Sequence, residues 1–251
     1  MLIEVDAKGL EWVCAVYLSG DKVGREELSK GIDQHADNQT TLGLPTRHLA
    51  KIFLFRTIYC DELTGGAFSF SNDPGFTPVS SSVRWWQSKI DGFFTKYSGL
   101  AKWHESLLKE VGSTGIWTSP TGRIYQFNKK SNYQGDLVWP KTQIYNYPVQ
   151  GLGAELMAIV RVSLTRRIRA LNLQSYLVLT VHDSILIDAL QNELGQICTL
   201  IAAVFADVSQ NFVRLFDVPF DVPLVGEIKV GEDWGHMKPI DMEILNAYQG
   251  S

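Results

Sequence analysis

The chain has 251 residues, a formal net charge of −4 and a pI near 5.7, with 45% hydrophobic and 20% charged residues. That length holds one large domain or two small ones with ample apolar content for a core, and no apolar run reaches the ~18 residues a membrane span needs. Three dispersed cysteines, Cys14, Cys60 and Cys198, exclude a disulfide framework or a zinc site. They fit a reducing compartment as small buried hydrophobes, and with no signal peptide evident at the first residues the expected location is cytoplasmic, of a host cell if the protein is viral.

In chain order, residues 2–6 (Leu-Ile-Glu-Val-Asp) read as a buried strand and residues 10–18 as a helix packed behind it. Gly20-Asp21 marks a turn, followed by short polar helices at 24–30 and 33–42. Pro45-Thr46 supplies a break and an N-cap for a helix from Arg47 to Tyr59. The stretch 63–82, rich in Gly, Ser, Asn and Pro, is expected to be an exposed loop. Residues 83–112 carry Trp85, Trp86, Ile90, Phe93, Tyr97, Leu100, Trp103 and Leu107 at helical rhythm, an aromatic core stripe with Gly99 as its joint. Ile116 to Phe127 alternates around Pro120-Thr121-Gly122 as a hairpin, and 128–142 reads as a polar loop. A helix over 149–171, a hairpin at His182-Asp183, a helix over 191–214 and a strand over 222–230 complete the pattern. This order predicts an α+β fold, an antiparallel sheet backed by helices with a helical insertion.

Two aspartates end apolar strands far apart in sequence, Asp6 and Asp183. An isolated strand-end Asp most often caps a turn, but two separated carboxylates also suit a pair of magnesium ions. Between them Arg47, Lys51, Phe55 and Tyr59 recur every fourth residue, a spacing that drifts by about 40° per step and so lines one slowly turning helix face. Two cations followed by two aromatics suit a triphosphate, then a sugar and base. The combination points to nucleotidyl transfer. The acidic total does not oppose this, because phosphate binding depends on local potential. The densest basic cluster, Arg161, Arg166, Arg167 and Arg169, reads first as the solvated side of an amphipathic helix and second as a DNA-backbone contact.

These residues fall in a recognisable order. Asp6-Ala7-Lys8-Gly9-Leu10-Glu11 is followed by Ser19-Gly20-Asp21, then Asp33-Gln34-His35 and the Arg47–Tyr59 segment. Asn146-Tyr147-Pro148-Val149-Gln150-Gly151, Val181-His182-Asp183-Ser184 and Val230-Gly231-Glu232-Asp233-Trp234 follow. Taken together they resemble the A-family DNA polymerases typified by bacterial DNA polymerase I, from residue 2 to about residue 238. The resemblance implies a palm sheet from residues 1–28 and 136–251, with the fingers inserted at 29–135. It implies two Mg²⁺ ions held by Asp6, Asp183 and the carbonyl of Ala7, and catalytic roles for Asp6, Asp183 and Lys51. Arg47 and Lys51 would hold the triphosphate of a dNTP, Lys51 would protonate the leaving pyrophosphate, and His35 would contact the same phosphates unless it is a plain surface histidine. Phe55 would pack on the incoming sugar. Tyr59 would stack near the template base and pair with Glu11, which stands where the family's gate excludes a ribose 2′ oxygen. Arg123, Asn146, Gln150 and His182 would contact primer–template DNA.

The pattern also departs from the family. Ala7-Lys8-Gly9 replaces Tyr-Ser-Gln, Ser184 replaces a glutamate, and Arg56 and Cys60 replace glycines; Arg56 with Ile58-Tyr59 resembles a phage-type variant. Family members carry a thumb and the first part of the palm before the Asp6 motif, often with an exonuclease. The thumb and exonuclease are expected to be absent here, making this chain the C-terminal half of a split polymerase or a trimmed fragment, the natural split being preferred. A second polypeptide carrying the thumb and remaining palm is the expected partner. The competing reading is a non-catalytic DNA-binding or assembly subunit that keeps the fold.

Overall fold

A computed structural model of the protein describes residues 1–59 and 66–240; Cys60 and the first residues of the expected 63–82 loop lie outside them. Its contacts divide the chain into two compact units, residues 1–13 with 151–251, and residues 14–150. No single helix among the described residues is long and apolar enough to cross a membrane.

The first unit is built on β1 (Leu2–Ala7). Its apolar residues alternate, so Ile3, Val5 and Ala7 are fully buried on one face while Glu4 and Asp6 turn to the other. The chain enters α1 (Leu10–Ser19), crosses the second unit, and returns within α8 (Lys141–Ala170), whose Leu156, Val160, Leu164 and Ile168 form a buried stripe. Arg161, Arg166 and Arg169 are exposed on the other side of that helix, as an amphipathic pattern requires. The hairpin β6 (Tyr176–Val181) and β7 (Ser184–Asp188) follows, then α9 (Leu194–Ala206), α10 (Val208–Phe216), β8 (Gly226–Gly231) and β9 (Lys238–Pro239). All pairings are antiparallel, in the order β6-β7-β1-β8-β9. Phe205 of α9 packs against β8 where Gly226 leaves room: a Cβ there would lie 2.8 Å from both Phe205 and Val5.

Two elements of the first unit differ from the sequence expectation. The single helix over 191–214 is a 3₁₀ turn plus α9 and α10, bent by 50° at Asp207, whose carboxylate is bound by Arg167. The strand expected from 222 starts at Gly226, because Pro223 has no N–H to give a ladder even though Val222 and Leu224 are buried.

The second unit holds α2 (Lys22–Ser29), α3 (Gln34–Leu42), α4 (Arg47–Ile58), α5 (Ala67–Asn72), α6 (Val83–Lys96) and α7 (Ser98–Thr114). These are followed by β2 (Ile116–Thr118), β3 (Ile124–Gln126), β4 (Lys130–Ser131) and β5 (Leu137–Val138). The aromatic stripe is core, as expected: Trp86, Phe93 and Tyr97 are fully buried with Phe53 and Phe70. The exposed loop expected at 63–82 contains α5 instead, with Phe70 and Phe76 buried against Trp86. Two buried rings outweigh the turn-forming composition around them. The 128–142 loop contains the β4–β5 hairpin, and α8 begins at Lys141, passing through Pro148 at the loss of one ladder hydrogen bond.

Buried Asp21 ties this unit together. One carboxylate oxygen caps α2 through the Gly24 N–H at 2.8 Å, and the other accepts from the Gly99 N–H of α7 at 2.7 Å. The α6–α7 break falls at Tyr97, and Gly99 matters for closeness: a Cβ on it would sit 2.7 Å from Asp21 Cα. Gly99→Ala should therefore destabilise this unit by about 2 kcal/mol despite the helix preference for Ala. Urea unfolding with no loss of stability would show that the Asp21 contact yields easily.

Candidate active site

In the first unit, β1 lies between β7 and β8, with Asp6 opposite Ser184 on one side and Glu227 on the other. Asp183 occupies the two-residue loop of the β6–β7 hairpin, and its carbonyl accepts the Ala7 N–H at 2.9 Å. The loop closes because His182 takes a left-handed conformation, φ 53°, which is uncommon without glycine and leaves its ring exposed. The chain thus brings Asp6, Ala7 and Asp183 together across 177 positions. Burial, and then the negative charge of Asp183, push the Asp6 carboxyl above the ordinary aspartate range, with Lys229 opposing. Nearby Glu4 behaves oppositely. The Trp234 indole N–H at 2.9 Å and Lys229 at 3.4 Å hold it below the ordinary range, and the Ser184 hydroxyl donates to it at 3.3 Å.

No group of three or more His, Cys, Asp or Glu side chains gathers as a metal cluster among the described residues. The donor set is two adjacent carboxylates beside a strand carbonyl. Hard divalent cations that keep water need little more than this. Burial first, and then the neighbouring Asp183 charge, raise the Asp6 carboxyl, and a cation bound between the two would relieve the second of these.

In the second unit, Thr46 caps α4 through the Leu49 N–H. Arg47 Nε donates to Asp33 Oδ2 at 2.8 Å, and the other oxygen of Asp33 caps α3 through the N–H groups of His35 and Ala36. Against the effect of burial, these donors hold Asp33 below its ordinary range. His35 lies edge-on to Phe55 at 5.8 Å, with a buried Nδ1 that has no hydrogen-bond partner. Burial first, then the Arg47 charge and that of Lys51 against an opposing Asp33, keep it below the ordinary histidine range and hence neutral at pH 7. Lys51 is exposed and makes no ion pair among the described residues. With His48, Ile52, Phe55, Arg56, Tyr59 and Thr142 it lines an open groove of about 530 Å³. The Tyr59 hydroxyl accepts from Gln150 Nε2 at 3.4 Å, and Asn146 lies one turn before Gln150 on α8.

Arg123 is exposed just beyond the β2–β3 turn, and Glu11 lies in the first turn of α1. Arg47, Lys51 and Phe55 thus share α4, with His35 packed alongside; Tyr59, expected inside the helix, is its C-cap, and Gln150 joins the group through it. Asp33, expected only as part of the Asp33-Gln34-His35 segment, organises both α3 and Arg47. Its signal was an Asp two residues before the candidate histidine, at a helix start.

The family model for "DNA polymerase family A" matches residues 1–236. The chain belongs to this family. Among similar family members, DNA polymerase I of Chloroflexus aurantiacus is 25% identical over 248 residues, covering 96% of this chain and 24% of the relative. The thermostable DNA polymerase I of Thermus aquaticus is 24% identical over 238 residues, covering 93% and 27%. This family A chain therefore spans about a quarter of the length of these relatives. Its fold is that of the POL domain of Pol1 from M. smegmatis, solved in complex with DNA primer-template and dNTP. The TM-score is 0.76 at 20% identity, over 93% of this chain and 40% of that one.

Removing one of two facing charges should stabilise the metal-free protein. A carboxyl whose folded value lies above its unfolded one costs stability as the pH rises through that range, so Asp6→Asn should raise the neutral-pH melting midpoint by about 1–3 °C. Mg²⁺ should shift the parent's midpoint upward, and the same variant should lose that response. A variant that melts lower, or that still responds fully to Mg²⁺, would remove Asp6 from the cation site.

Proposed function

We propose that this chain carries the chemistry of template-directed DNA synthesis, transferring a nucleotidyl group from a dNTP to a primer 3′ hydroxyl. The observation that carries the reading is the Asp6–Asp183 pair, held together at the end of a sheet in a family A chain. Asp6, Asp183 and the Ala7 carbonyl would hold two Mg²⁺ ions, which when bound neutralise phosphate charge and make the 3′ oxygen a better nucleophile. The chain's own residues supply the rest. The Arg47 fork, braced by Asp33, and the exposed Lys51 grip the triphosphate, the first as a bidentate donor and the second as a mobile point charge. Lys51 is also the group placed to give a proton to the departing pyrophosphate. Neutral His35 can donate a hydrogen bond to the same phosphates from an edge already packed on Phe55.

Phe55 offers its ring to the sugar and Tyr59 to the templating base, with the Tyr59 hydroxyl steadied by Gln150. Gln150, Asn146, Arg123 and His182 contact the primer–template. Gln150 suits the minor-groove acceptors that all base pairs share, which checks shape without reading sequence. Glu11 closes the space a ribose 2′ oxygen would need. In this reading residues 1–28 and 136–251 are palm and 29–135 fingers. Ser184, where the family pattern has glutamate, spares Asp6 a further like charge directly across the strand pair.

A partner polypeptide carrying the thumb and remaining palm is part of the proposal. Edge strand β6 supports it, exposing Tyr176, Val178, Leu179 and Val181 where another chain could pair and pack.

Asp183→Ala, assayed by primer extension in the assembled enzyme, should slow synthesis on the order of a thousandfold with folding intact. Near-normal extension would end the two-metal reading. Glu11→Ala should raise ribonucleotide relative to deoxyribonucleotide incorporation in single-insertion assays. Unchanged discrimination would move the gate elsewhere.

A further inference from the structure

Arg56 stands where the family pattern has glycine, and it lines the same groove as Lys51, Phe55 and Tyr59. A cation there invites assignment as one more phosphate ligand. Its surroundings argue otherwise. Nη1 donates to Asp73 Oδ2 at 2.7 Å and Nη2 to Ser69 Oγ at 2.6 Å. The guanidinium carbon lies 4.5 Å from the centre of the Phe70 ring and 5.3 Å from that of Phe76. Charge, hydrogen bonds and π faces all engage Arg56 from one side, and the side chain is only 23% exposed.

What Arg56 grips is itself fixed. Asp73 Oδ1 accepts the Gly75 N–H at 2.8 Å, and its backbone carbonyl accepts the N–H groups of Phe76 and Thr77. Phe70 stacks on Trp86 at 5.1 Å and also meets Phe53 of α4 at 5.2 Å. Helix α4 is thus held to residues 66–79 at two points one turn apart. Phe53 is an apolar contact that permits rolling, while Arg56 is a directional fork that resists it. A roll of about 10° moves a side-chain tip ~6 Å from a helix axis by roughly 1 Å, a misplacement that can cost a reacting group on the order of a hundredfold.

We propose that Arg56 is a positioning residue: it locks the roll of α4 against the 66–79 segment and so aims Lys51, Phe55 and Tyr59 at the nucleotide, without itself binding phosphate. Asp73 neutralises the charge that Arg56 would otherwise bring to the groove. The inference rests on the polymerase reading for the identity of the nucleotide, and on contacts within one unit for the lock.

The test compares Arg56→Ala, Arg56→Lys, Asp73→Ala and the Arg56→Ala/Asp73→Ala double variant in the assembled enzyme. Two readouts are used, the kcat and KM for dATP in single-nucleotide insertion, and protection of Lys51 from an amine-reactive label by dATP. Arg56→Ala should raise both KM and the dATP concentration needed for protection by about tenfold, with primer–template affinity unchanged. Asp73→Ala should do the same, and the double variant should be no worse than either single one, since they break one lock. Arg56→Lys, which keeps the charge and one hydrogen bond, should recover part of the loss and keeps the test usable if the alanine variant folds poorly. Unchanged KM and protection, additive losses, or an equal loss of DNA affinity would overturn the proposal. A parent protein that shows dATP protection of Lys51 but no extension would sink the polymerase reading while leaving the Arg56 test decisive.

Discussion

The register of β1 is the constraint on which the rest of the first unit depends. The strand sits between β7 and β8, so one alignment must satisfy two ladders, and a slip of one residue would exchange its faces. Burial of Ile3 and Val5, at ~1.5–3 kcal/mol each, fixes which face turns inward. Asp6 is then set on the open face, and the bond from the Ala7 N–H to the Asp183 carbonyl closes the hairpin loop onto it. Backbone pairing and core packing thus hold together two carboxylates that repel each other.

That repulsion sets Asp6 apart from the acids that have a neutralising neighbour. Glu4 is held by Trp234 and Lys229, Asp33 by Arg47, Asp73 by Arg56 and Asp207 by Arg167. Each is neutralised by a neighbour within its own unit. Asp6 faces Asp183 and Glu227, with Lys229 as its main relief. A site that stays electrostatically unsatisfied in the folded chain is prepared for a ligand of the opposite sign. Lys51 is the cationic counterpart in the second unit, exposed and without an ion pair among the described residues while Arg47 and Arg56 are engaged.

The second unit achieves rigidity by different means. Asp21 and the group of Lys96, Glu27, Asp37 and Tyr97 link α2, α3, α6 and α7 through partly buried polar contacts, and a fused set of aromatic rings fills the space beneath α4. Breaking one partner of such a network strands the other in a poorly solvated place, so these contacts fix one arrangement more than they add stability. The open face of α4 is held in that single arrangement.

Periodicity and caps alone determined most helices, the strands leading to Asp6 and Asp183, and the helix carrying Arg47, Lys51 and Phe55 up to its cap at Tyr59, because those signals are local in the chain. The family was legible for the same reason: its residues cluster in short ordered segments. Tertiary structure decided the rest. Helix α5 escaped because Gly, Ser and Pro dominate its neighbourhood, whereas Phe70 and Phe76 are ordered only by rings from α4 and α6. The bend at Asp207 accompanies an ion pair with Arg167, forty residues earlier. The sequence showed Arg56 only as a replacement for glycine and Asp33 only as part of a short segment; their distant partners, Asp73 and Arg47, give each a direction. Sequence could place Asp6 and Asp183 at strand ends, but only the pairing of β1 with β7 makes them neighbours, since contact across 177 positions is set by packing and ladder register.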